Sequence, residues 1–126
     1  MRAIDTNVLV RLITRDDEKQ VASAEAFVGK GVWVSHLVLA ETTWVLSAAY
    51  DLGHRDIATA VEMLLNHQQM TIQDADVVEA ALDQYRQKPA LGFSDCLVLE
   101  IARKAGHLPL GTFDQSFSKL EGVERL

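Results

Sequence analysis

The chain has 126 residues, 48% hydrophobic and 24% charged, which predicts one domain over residues 1–126 that buries roughly two-thirds of its unfolded surface. Its formal net charge of −6 excludes a nucleic-acid binder that works through a broad basic surface, but not a protein whose acids are neutralised by a bound metal. A single cysteine, Cys96, excludes an internal disulfide framework and suits a reducing cytoplasm, no apolar run reaches the roughly 18 residues of a bilayer span, and Asp5 breaks the apolar region that a signal peptide needs.

Residues 2–5 read as a short strand and residues 8–13 as the start of a helix. Asp16, Asp17 and Glu18 open a second helical stretch to about Val28, where acids suit a helix N-terminus. Residues 31–35, Gly-Val-Trp-Val-Ser, are β-branched and aromatic and predict a second strand. A long helix is expected over 37–52 with Gly53 as its stop, and another over 55–67. A third strand falls at 69–73, followed by a helix over 74–87 that Lys88 and Pro89 end. Residues 94–105 are helical with Gly106 closing them; 110–112 form a fourth strand and 123–126 a candidate fifth.

Short strands alternating with helices predict an α/β fold, its parallel sheet covered by helices on both faces. Ligands bind outside the carboxyl ends of such strands. Asp5 and Asp114 both follow the apolar residues of their strands, so both belong to that rim.

Two more acids sit among apolar residues. Leu37, Trp44, Val45, Ala48 and Leu52 recur at three- and four-residue steps and read as one buried stripe with Glu41 in its middle. Asp95 precedes Val98 and Leu99 by three and four residues, and Ala102 continues that face. A buried carboxylate requires a cation, hydrogen bonds or a raised pKa. Each acid also has a local explanation: Asp5 or Asn7 as a helix cap, Asp95 or Ser94 as another, Asp114 as a turn residue, Glu41 paired with a buried base. One cause covering all four is a carboxylate cluster around a hard divalent cation, and oxygen-only donors point to Mg²⁺ or Mn²⁺. His36, His54, His67 and His107 lack metal-ligand spacing and read as surface or loop residues. Trp33 and Trp44 read as core, and Cys96 as a small buried group.

The segments IDTNVLVRL at 4–12, SHLVLAETTWVL at 35–46, FSDCLVLEIARKAG at 93–106 and LGTFDQSF at 110–117 together resemble the PIN-domain ribonucleases, most closely the VapC-type toxins of bacterial toxin–antitoxin pairs. The resemblance implies a PIN-like three-layer fold, with a short, mostly parallel central sheet of four to five strands. It implies metal-dependent endonuclease cleavage of RNA, with Asp5, Glu41, Asp95 and Asp114 as the catalytic and metal-binding acids. Thr6, Asn7 and Thr112 match supporting polar positions. The ion, Mg²⁺ or Mn²⁺, would orient a water and stabilise charge on the phosphate, with Glu41 either a ligand or the base. Arg11, Arg15, Arg86, Lys88, Arg103 and Lys104 are candidates for positioning the RNA, although a solvated surface charge is the simpler reading of each. The implied partners are a transfer or ribosomal RNA, a cognate antitoxin and a second copy of the chain; DNA would be met only through the antitoxin.

Two other classes compete. Phosphoacceptor receiver domains resemble one another in an adjacent acidic pair after the first strand and a late-strand Lys, but here Thr6 and Asn7 follow Asp5 and the late strand reads Thr112, Phe113, Asp114. Haloacid-dehalogenase-type phosphatases need a second Asp where Asn7 stands. A pure interaction role, as the inhibited partner in an antitoxin complex, is compatible with the nuclease reading.

Overall fold

The computed structural model describes residues 1–126 and divides into two compact units, Met1–Ala75 and Asp76–Leu126. In chain order the first unit holds β1 (Arg2–Ala3), α1 (Thr6–Thr14), α2 (Glu18–Val28), β2 (Val32–Val34), α3 (His36–Ala48), α4 (His54–Leu65) and β3 (Met70–Ile72). Its strands pair in the order β1-β2-β3, all parallel, with Arg2 opposite Val32 and Val32 opposite Met70. Parallel neighbours need crossover connections, and the helix pairs α1–α2 and α3–α4 provide them. The carboxyl ends therefore share one edge, where Asp5, Ser35 and Gln73 follow their strands. There the Gln73 Oε1 accepts from the His36 N–H at 2.9 Å.

Local chemistry sets the helix starts. Asp5 caps α1 by accepting from the Val8 N–H at 3.2 Å, Asp17 caps α2 through the Gln20 N–H at 3.0 Å, and Ser35 caps α3 through the Val38 N–H at 3.1 Å. Asp16 does more than complement a helix end. It accepts from the Tyr50 hydroxyl at 2.9 Å, the Thr14 hydroxyl at 3.0 Å and Arg11 at 3.3 Å. Those bonds, Tyr50 first and then Thr14, hold its carboxyl below the usual range.

The helix expected to run to Leu52 stops at Ala48. Asp51 takes the left-handed conformation, φ +55°, and the Leu52 N–H turns back to the Leu46 carbonyl at 3.0 Å. Gly53, expected as the stop, is instead the N-cap of α4.

The second unit carries most of α5 (Ala75–Gln87), then α6 (Phe93–Ala105), β4 (Leu110–Thr112), a 3-10 turn at Phe117–Lys119 and β5 (Val123–Arg125). Tyr85 of α5 meets Phe93 of α6 edge to face, with centroids 5.7 Å apart. β4 and β5 are parallel, with Leu110 opposite Val123. The turn into β5 requires Gly122: its φ is +91°, and a Cβ there would stand 3.2 Å from a Leu108 methyl. The five strands occur where the pattern placed them and all pair in parallel, but the ladders divide them into a three-stranded and a two-stranded sheet. Six helices with small parallel sheets make this an α/β fold. No helix is long and apolar enough to cross a membrane.

Candidate functional site

Within the second unit, Asp114 lies close enough to Asp95 for its charge to act on it. Asp95 lies in the first turn of α6, three residues after its N-cap, Gly92. The cap is thus neither Ser94 nor Asp95; Asp95 instead reaches back to accept from the Gly92 backbone. Its carboxyl is raised above the usual range, first by burial and second by the negative charge of Asp114, against a smaller lowering by the Gly92 bond. Asp114 follows β4 and is exposed. Its Oδ1 accepts from the Phe117 N–H at 3.0 Å, at the start of the 3-10 turn, and its own N–H donates to the Thr112 hydroxyl at 3.1 Å. Two backbone-anchored carboxylates thus repel one another, and a hard divalent cation between such groups would remove that repulsion. The donor chemistry fits Mg²⁺ or Mn²⁺. Within neither unit do three or more His, Cys, Asp or Glu side chains gather closely enough to hold a metal ion.

In the first unit Asp5 is exposed and lines a groove of about 530 Å³ between α1 and α2, together with Asn7, Val8, Arg11, Lys19 and Gln20. Thr6, half-buried, opens α1. Glu41 lies on α3, and its setting reverses the expected one. The buried face of α3 is Leu39, Thr42, Thr43 and Leu46; Leu37 is 70% exposed, Trp44 68%, and Glu41 is exposed beside them. The apolar stripe faces solvent because the two threonines bury at little cost. The Thr42 hydroxyl donates to the Val38 carbonyl at 2.7 Å and that of Thr43 to the Ala40 carbonyl at 2.9 Å. Trp44 is therefore not core, and Trp33, the outward residue of β2, is 37% exposed. His36 and His54 start α3 and α4 rather than sitting in loops, and both are half-buried.

Arg11, Arg15, Arg103 and Lys104 are bound to carboxylates of their own unit. Arg11 donates to Gln20, to Asp16 at 3.3 Å and to Tyr50 at 3.0 Å. Arg15, left-handed at the end of α1, pairs with Glu25 at 3.2 Å. Arg103 holds Glu100 at 3.2 Å and the Glu121 carbonyl at 2.9 Å, and Lys104 holds Asp76 at 3.1 Å. Arg86 lies in the last turn of α5, and Lys88 just beyond it is exposed. Glu100 is a buried carboxylate that the sequence reading passed over; its i, i+3 spacing to Arg103 is the signal that marks it. Cys96 is fully buried, and its thiol is pushed up to about 11 by burial and then by the charges of Asp95 and Glu100.

An α/β chain with carboxylates following its strands is the setting in which family membership becomes informative. A PIN domain model matches residues 3–123, and the chain belongs to the PIN-domain family. Among solved structures it is similar to VapC20 of Mycobacterium tuberculosis, a sarcin-ricin loop cleaving toxin. That likeness has 23% identity and a TM-score of 0.44, covering 98% of this chain and 97% of the other. No curated protein matches its sequence.

Proposed function

We propose that the chain is a metal-dependent endoribonuclease toxin of the VapC type, acting as a single domain over residues 1–126, with Asp5, Glu41, Asp95 and Asp114 as its acidic residues. One observation supports it above the rest: a PIN-domain chain carries a half-buried carboxylate, Asp95, whose raised affinity for a proton comes partly from a second carboxylate, Asp114. When bound, Mg²⁺ or Mn²⁺ supplies an acidified water and neutralises charge on the scissile phosphate. Asp95 would hold the ion as a carboxylate, which the Gly92 N–H steadies. Asp114 has one oxygen fixed by Phe117, leaving Oδ2 to coordinate. Asp5 likewise has one oxygen committed to the Val8 N–H. Glu41, exposed on α3, is free either to coordinate or to take a proton from the attacking water. Thr112 fixes the backbone at Asp114, while Thr6 and Asn7 flank Asp5. Lys88 is the basic candidate placed best to meet RNA, since none of its own chain's carboxylates pairs with it. The partners of this reading are a transfer or ribosomal RNA, a cognate antitoxin that alone would contact DNA, and a second copy of the chain, all in the cytoplasm.

The test is RNA cleavage titrated with Mg²⁺ and Mn²⁺. Activity should require the ion, vanish with chelator and vanish in Asp5→Asn. Cleavage that survives both treatments rules the mechanism out.

A further inference from the structure

Phe93, Cys96, Leu97 and Leu99 are buried on α6, and with them Glu100, whose side chain is 8% exposed. Apolar burial is non-directional and leaves a helix free to tilt. A buried carboxylate does not, because it must keep its partner. That partner is Arg103, one turn further along. Its Nε donates to both Glu100 oxygens, at 3.2 and 3.4 Å, and its Nη2 donates to the Glu121 carbonyl at 2.9 Å. The guanidinium lies against the backbone of Gly122, where a Cβ would stand 3.4 Å from Nη2. One cation thus fastens the far end of α6 to the turn that leads into β5.

The fastening point is remote from the acids, yet it sets where they meet. Asp95 precedes Arg103 by eight residues, about 12 Å of helix. On the returning arm the Gly122 carbonyl accepts from the Leu110 N–H at 2.8 Å, so the clamp is bonded to the start of β4. Asp114 lies four residues on, about 13 Å of extended chain. Two arms of nearly equal length therefore leave the clamp and end at Asp95 and Asp114, where the charge of one acts on the other. A tilt of α6 by about 5° at the clamp would move Asp95 by about 1 Å, against a tolerance of roughly 0.2 Å in metal–ligand distances.

A buried ion pair is weak evidence for stability, since an apolar pair of similar volume is often at least as stable. Its use here is geometric. We propose that Arg103 is a positioning residue: paired with Glu100 and bonded to the Glu121 carbonyl, it fixes the tilt of α6 and so holds Asp95 level with Asp114. It touches neither ion nor RNA. The assignment rests on the reading of those two acids as metal ligands, and it takes Arg103 out of the set of RNA-contacting cations.

The experiment compares wild type with a double variant, Glu100→Leu with Arg103→Met, which removes both charges together and leaves the net charge unchanged. Denaturant unfolding should show a midpoint at or above that of wild type. Mn²⁺ binding, measured by calorimetry on fully folded protein, should nonetheless weaken about 10–100-fold, the range for groups that orient metal ligands. In RNA cleavage kcat should fall while KM stays within about twofold, since no ground-state contact with RNA is lost. A purely structural pair predicts otherwise: repacking keeps wild-type Mn²⁺ affinity, and that result overturns the proposal. So does a raised KM with Mn²⁺ affinity unchanged, which would return Arg103 to the RNA. If the wild type binds no Mn²⁺, the metal reading has failed, and crystals of the two proteins decide the clamp by itself. A displacement of Asp95 relative to Asp114 by about 1 Å or more then supports it; superposable carboxylates overturn it.

Discussion

Helices α3 and α6 pose one problem in sequence and solve it in opposite ways. Each is 13 residues long, and each carries a carboxylate among apolar residues at helical spacing. In α6 the acid is half-buried, next to fully buried Cys96, and is influenced by another acid, Asp114. In α3 the acid stands in the open, on a face where Leu37 and Trp44 are exposed too. A carboxylate within a hydrophobic pattern is therefore not by itself evidence of burial. The pattern says which residues share a face, and packing decides which face turns inward.

The sharpest way to break this contrast is at the level of activity. Asp95→Asn should reduce cleavage by more than the roughly 10–100-fold typical of groups that only orient ligands, and should weaken Mn²⁺ binding measured by calorimetry. Glu41→Gln should lower kcat by about 10²–10⁴-fold, the range of general acid–base catalysis, with a smaller change in Mn²⁺ affinity. Equal losses of Mn²⁺ affinity would make Glu41 a ligand and remove the distinction between the helices.

Stability tests the orientation of α3 next. Leu46 is 1% exposed, and Leu46→Ala should cost about 2–5 kcal/mol in denaturant unfolding. Trp44→Ala, on the opposite face, should stay within about 0.5 kcal/mol. A large loss at Trp44 would restore the buried stripe that the sequence suggested.

That reversal shows where sequence stops being informative. Element positions were legible because they depend on neighbours in the chain: Asp5, Asp17 and Ser35 cap helices with their own side chains, and Gly106 ends α6 at φ +82°. The inward face of α3 was not legible, because two of its four buried residues are threonines whose hydroxyls bond to the helix's own carbonyls. A polarity pattern counts them as surface. The division of five strands into two sheets was equally hidden, since pairing joins residues about 30 apart, such as Arg2 and Val32. Of the candidate site, the places of Asp5 and Asp114 just after strands were legible. The action of Asp114 on Asp95 depends on how α6 packs beside the segment after β4, which spacing in the chain does not reveal.

Helix starts give a smaller contrast. α3 begins on Ser35 with a side-chain cap, and α6 on Gly92 with none. Ser35→Ala should cost about 1 kcal/mol. Gly92→Ala should be near neutral: its φ of −76° suits alanine, and an added Cβ would lie 3.9 Å from the Ser94 hydroxyl, an ordinary contact.

The smallest effect discriminates most finely, because it has a sign. Asp95 binds its proton more tightly in the folded chain than in the unfolded one. The folded state therefore holds more protons between the ordinary carboxyl pKa and the raised one, and stability falls as pH rises through that window. At neutral pH and without divalent metal, Asp95→Asn should raise Tm, on the order of 2–4 °C. The gain should shrink as pH drops through the window and vanish below it. Adding Mn²⁺ should reverse the ranking, stabilising wild type and leaving Asp95→Asn unmoved. Glu41→Gln, with no buried charge to relieve, should show little change in Tm at any of these pH values. A Tm gain in Asp95→Asn that ignores both pH and metal would mean that the substitution improves packing, and that repulsion between Asp95 and Asp114 does not set the energetics of this edge.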